Sequence, residues 1–173
     1  MALIVEDGTG KADAESYVSV SDCAAYALAH GWAFDPEPEY AAEQALRRAT
    51  TWIDATYRSR FTGRRTNGRK QALEWPRVDA HDKQCPPDYI ESDEVPQEIV
   101  DACCEAAIRE RAEPGLLSPD LERGGDVRRL KAGSVEVEFG ASASVGTKFS
   151  AIDNVLVGLL TAYSPYSGRA VRA

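Results

Sequence analysis

The chain has 173 residues, 43% of them hydrophobic and 28% charged, with a formal net charge of −8. Those totals fit one folded domain with a core of its own and exclude a chain disordered throughout. The opening MALIVEDGTG has no basic start and an apolar run of five residues, so neither a secretory leader nor a membrane span is expected, and synthesis and residence in the cytosol are.

The charge is laid out in blocks. Residues 1–46 hold one base and nine acids, 47–77 nine bases and two acids, 78–122 three bases and thirteen acids, and 123–173 seven bases and four acids. Such blocks can neutralise one another within a subunit or between copies, whereas a nucleic-acid-binding domain is more often basic overall.

ALIVEDG reads as a short strand ended at Asp7-Gly8. Ser19, with Asp22 three residues on, starts a helix over about 20–30 that Gly31 stops. After FDPEPEY, Ala42, Leu46, Ala49, Ile53 and Tyr57 lie on one face of a helix over 39–57, with Arg47, Arg48 and Asp54 off that face. Residues 58–94 show little periodicity, and Leu73 and Trp75 are expected to pin them to the core.

Pro96 opens a helix reaching about Ala112, with Ile99, Cys103 and Ala107 on one row and Val100, Cys104 and Ile108 on the next. Val135, Val137 and Phe139 alternate with polar residues, which predicts a β-hairpin over about 127–139 turning at Ala132-Gly133. SAIDNVLVGLLTAY is expected to be a last helix, with Ser150 as N-cap and Ile152, Val155, Leu156, Leu159 and Leu160 as its buried stripe. The expected fold is mainly α: a bundle of about four helices with a short N-terminal strand and one hairpin. Residues 1–162 form its single domain and 163–173 a tail.

Each candidate site has a plainer reading. DGTGKAD at 7–13 superficially resembles a phosphate loop, but Val5 stands where a glycine is needed and Ala12 where a Ser or Thr is, so a turn is expected. His81, Asp82, Cys85 and Asp88 lack the second ligand cluster of a zinc site or the orienting group of a catalytic Cys-His pair, so no metal, cofactor or enzymatic activity is expected. RGGD at 123–126 reads as a turn. The four cysteines, Cys23, Cys85, Cys103 and Cys104, are expected to be reduced packing thiols.

The strongest candidate is YRSRFTGRRTNGRKQALEWPR, residues 57–77. Arg58, Arg60, Arg64, Arg65, Arg69, Lys70 and Arg77 are interleaved with Tyr57, Phe61 and Trp75, the composition of a single-strand binder. The same residues suit a contact with another protein copy better, with the aromatics as core anchors and the arginines paired to the flanking acids, and a simple solvated loop is the third reading. Tyr163, Tyr166, Arg169 and Arg172 give the tail the anchors of a docking arm, against a plain frayed end.

MALIVEDGTGKADAESYVSV, ALRRATTWIDATY, RFTGRR, LEWPR, VPQEIVDACCEAAIRE, LERGGDVRRLKAGSVEVEF and AIDNVLVGLL, in that order, resemble the head-to-tail connector (adaptor) proteins of long-tailed bacteriophages. This is the branch that carries the name DnaT-like single-stranded-DNA-binding protein. The likeness covers nearly the whole chain and departs in AFDPEPEY and DAHDKQCPPDYIESDE. It implies a virion protein of the neck without enzymatic activity: a dodecameric ring under the portal, docked through the tail, joining the portal to the next neck or tail protein around a DNA channel. The alternative is a single-stranded-DNA-binding module.

Overall fold

The computed structural model describes residues 2–83, 87–119 and 148–161, and the backbone of 129–132 and 135–138. Four helices build the core: α1 (Val20–Ala29), α2 (Glu39–Tyr57), α3 (Gln97–Ala112) and α4 (Ser150–Leu156). Ser19 caps α1 by accepting from the Asp22 N–H at 3.1 Å, and Gly31, at φ +72°, lets the chain turn away after it.

α2 buries Ala42, Leu46, Ala49, Ile53 and Tyr57, the face its spacing predicts. That face packs on α3, where Ala102, Cys103, Ala106 and Ala107 are all buried and small enough for the helices to approach closely. α3 also carries α1 and α4. Fully buried Leu46, Ile53, Ile99, Ile152 and Leu156 each stabilise the fold by about 1.5–3 kcal/mol. Thr50 meets the Cys103 sulfur at 3.2 Å inside this interface. Cys23, Cys103 and Cys104 are free and buried, and burial pushes the Cys103 thiol up to about 12, so it packs and does not react.

The polar staple of the bundle is Glu110 of α3. Its carboxylate is buried, pairs with Arg48 of α2, and accepts from the Gly115 N–H at 2.8 Å and the Leu117 N–H at 3.3 Å. The turn after α3 is thereby tied back to α2.

Two short antiparallel ladders complete the described fold. β1 (Arg64–Arg65) pairs with β2 (Arg77–Val78), placing Arg64 opposite Val78 and Arg65 opposite Arg77. β3 (Arg129–Ala132) pairs with β4 (Val135–Glu138) from Arg129 opposite Glu138 to Ala132 opposite Val135. The expected hairpin is thus present as two paired strands, in which Ala132 belongs to the ladder opposite Val135 and not to the turn; residues 133–134 lie outside the described residues. None of the helices among the described residues is long and apolar enough to cross a membrane.

Two expectations are corrected. The N-terminal strand reduces to a single parallel bridge between Val5 and Ser16, because the segment folds back on the chain that follows it and not along a sheet. The last helix stops at Leu156, and Ser150 is its first residue, with Phe149 in the capping position. Past Leu156 the chain turns, so that Leu160 bridges Phe61 and the Thr161 N–H donates to the Arg60 carbonyl at 2.7 Å. Leu159 and Leu160 are buried as expected, but by this return and not by a helical stripe.

Candidate functional site

The basic segment is built around Tyr17. Its hydroxyl donates to Asp54 Oδ1 at 2.6 Å and accepts from the N–H groups of Glu74 and Trp75 at 3.1 and 3.2 Å. Asp54 Oδ2 accepts from the Glu74 N–H at 3.0 Å. Burial pushes the Asp54 carboxyl up to about 6 against the pull of these hydrogen bonds, with the nearby Glu74 charge adding to the rise. Burial, then the Asp54 charge, holds the Tyr17 phenol well above its ordinary value. Gln71 Nε2 donates to the Leu73 and Pro76 carbonyls at 3.0 Å each, which fixes the loop over Trp75.

Trp75 is fully buried and meets Phe61 edge to face, ring centroids 5.6 Å apart. Phe61 in turn packs on Tyr57 at 6.5 Å. The aromatics of the basic segment therefore belong to the core, and none of the three forms a base-stacking platform on the surface. Leu73 is buried with them, the anchor expected in a segment without periodicity.

The cations divide. Arg77 is buried: its Nη1 pairs with Glu74 Oε2 at 2.9 Å, while Nε and Nη2 donate to the Thr62 and Gly63 carbonyls at 2.8 Å each. Its guanidinium also lies 5.8 Å from the Phe61 ring centroid and 6.0 Å from that of Trp75. Arg58 takes the other oxygen of Glu74 at 2.7 Å. Arg65 donates to the Gln71 carbonyl at 3.2 Å, and Arg60 lies over the Tyr57 ring at 5.8 Å.

Arg64, Arg69 and Lys70 face outward, and Arg58 is exposed as well, although Glu74 holds it. Arg64 stands 4.0 Å from Asp79, both largely exposed, a pair contributing little in solvent. Arg69 and Lys70, in the single 3-10 turn Gly68–Lys70, form no ion pair among the described residues.

Over residues 1–173 the chain matches the model of a family described as "Putative DnaT-like ssDNA binding protein". It belongs to that family. No curated protein and no solved structure matches it. In this member of the DnaT-like family, the three outward cations that no buried carboxylate holds are the part of the segment freest to meet phosphate.

The other sequence candidates fare differently. In DGTGKAD, the N–H groups of Gly8, Gly10 and Lys11 converge on the buried Glu6 carboxylate at 3.0, 2.8 and 2.9 Å, so the loop wraps an anion of its own chain. Gly8 and Gly10, at φ +95° and +71°, make that curl. The His81 ring lies 5.9 Å from Tyr89, and Asp82 donates its N–H to the Asp88 carbonyl at 2.9 Å. No group of three metal-ligating side chains occurs among the described residues. Cys85, the RGGD at 123–126, and Tyr163, Tyr166, Arg169 and Arg172 lie outside the described residues.

Sequence reasoning missed Glu6, Tyr17, Asp54 and Asn67. Asn67 Nδ2 donates to the Thr9 and Gly10 carbonyls at 2.9 and 3.0 Å, fastening the basic loop to the N-terminal one. The one available signal was Glu74, the single acid inside the basic run, which takes two of its arginines.

Proposed function

We propose that the chain is a structural adaptor and not an enzyme: a subunit of a ring in the neck of a tailed phage, a head-to-tail connector between the portal and the next neck or tail protein around the DNA channel. The observation that carries this reading is the inward turn of the basic segment. Glu74, Gln71 and loop carbonyls hold Arg58, Arg65 and Arg77, and Phe61 and Trp75 lie in the core, so the segment serves as scaffold. Long acidic stretches of sequence flank this basic one, and charge complementarity of that kind is what a heterologous ring contact can use. The test is cryo-EM of portal mixed with the full chain. An added ring beneath the portal is expected, and a bare portal at stoichiometric mixing refutes the reading.

The family's description favours a second reading, single-stranded-DNA binding, with Arg64, Arg69 and Lys70 as the phosphate contacts. A labelled oligonucleotide titrated at low salt decides it. Three neutralised phosphates give a log–log salt slope of about −2, lost when the three are changed to alanine. An absence of binding at low salt removes this reading and leaves the adaptor standing. Of the two, the family match supports DNA binding, and the geometry of the loop supports the adaptor.

A further inference from the structure

Beside the start of α2 lies a groove of about 470 Å³ with Leu3, Val5, Val20 and Ala24 along its floor and Glu37 and Glu39 on its rim. Both rim residues are exposed, and neither forms an ion pair among the described residues. Glu43, deeper in, is already committed to the Leu3 N–H at 2.9 Å and to Arg47 at 3.2 Å. An apolar floor under an anionic rim repels phosphate and suits a peptide that alternates small apolar and cationic side chains.

The chain carries such a peptide. Residues 162–173 read AYSPYSGRAVRA, in which Arg169 and Arg172 flank Ala170 and Val171. Where this segment departs is fixed by the bridge from Leu160 to Phe61 and the hydrogen bond from Thr161 to Arg60, three residues past the last residue of α2. The groove lies at the other end of that helix, beside its first residue, Glu39.

A helix of 19 residues is about 28 Å long. The stretch from Thr161 to Arg169 spans at most about 26–29 Å when fully extended. To bring Arg169 to the groove of its own copy, the tail must therefore run nearly straight along the whole of α2. Set head to tail, one copy brings its exit point next to the groove of a second copy, and no stretching is required.

We propose that residues 162–173 of one copy dock in the groove of a second copy, with Val171 on the apolar floor and Arg169 and Arg172 on Glu37 and Glu39. The contact is heterologous, so each copy offers a tail and a groove, and repetition builds a ring or a row. It gives the segment a destination besides the portal that the resemblance implies, and it requires neither portal nor DNA. A failed portal experiment leaves it standing, and its own failure leaves a ring free to close through other faces.

Sedimentation velocity on full-length chains at low salt tests the proposal. Wild type is expected to associate with rising concentration, more weakly as salt screens the pairs. The tail-reversed chain, Arg169→Glu with Arg172→Glu, and the groove-reversed chain, Glu37→Lys with Glu39→Lys, are each expected to associate at least about tenfold more weakly. Mixed one to one, the two variants regain association, because each tail then faces a groove of opposite charge. Circular dichroism should be unchanged in the groove variant, whose altered residues are exposed. The proposal is overturned if wild type stays monomeric at every concentration, if either variant associates like wild type, or if the mixture fails to recover.

Discussion

The proton on Asp54 offers a sharp handle on the loop. Burial raises its carboxyl from 3.8 to about 6 in the folded chain. The native state therefore holds this proton more tightly than the unfolded state does. The stability contributed by the neutral carboxyl is complete below the unfolded value and is lost as pH rises through about 6. A displacement of roughly two units is worth about 3 kcal/mol, of which about 2–3 kcal/mol falls between pH 4 and 7. Other carboxylates run the opposite way: the Thr9 and Lys11 side chains hold Asp7 down at about 2, and Arg47 holds Glu15 below its ordinary value. The quantity to follow is thus the difference between wild type and Asp54→Asn, in which those contributions cancel. Urea unfolding monitored by tryptophan fluorescence, repeated from pH 4 to 7.5, supplies it. The stability of wild type relative to the variant should fall by about 2–3 kcal/mol across that window. A difference that stays level, or rises with pH, would show that Asp54 is not held in a desolvated site.

Three further outcomes follow from the same loop and its neighbour. Trp75→Ala should cost about 3–5 kcal/mol in a denaturant titration, and Trp75→Phe markedly less, because the indole N–H has no hydrogen-bond partner among the described residues. Glu74→Gln leaves the buried Arg77 facing a neutral amide. At about 3 kcal/mol the melting temperature should drop by about 6–12 °C, and an unchanged melt would mean that the Thr62 and Gly63 carbonyls suffice for the guanidinium. Glu6→Ala should speed hydrogen exchange at the Gly8, Gly10 and Lys11 amides and destabilise the chain by at least about 2 kcal/mol. Exchange unchanged at those amides would count against the wrapped carboxylate.

Helix α1 was legible from its Ser19 cap and Gly31 stop, and α2 and α3 because each repeats its apolar residues over enough turns to define a face; α2 buries every residue that its spacing picked out. The end of α4 was not, since Leu159 and Leu160 continue the apolar pattern while being buried by a bridge to a distant residue, Phe61. Periodicity reports which side of an element is apolar and says nothing of a long-range return. The same blindness affected the site. Asp54 was read as lying off the buried face, which is true of its position, yet its carboxylate reaches Tyr17 and the Glu74 amide across the chain. The seven cations of 57–77 looked like one group by composition. Glu74 divides them, because a buried carboxylate has two oxygens and each here takes a different arginine.

The curl of the N-terminal loop around Glu6 bears on what that loop can ever bind. A carboxylate tethered two to five residues from the amides that it satisfies acts at a very high effective concentration, with no translational freedom left to lose. A free nucleotide would have to outcompete that internal anion and also leave it buried without its hydrogen bonds. The loop is in effect permanently occupied, so its resemblance to a phosphate cradle marks a fastening between the first residues and the basic loop, and competition by phosphate is closed to it.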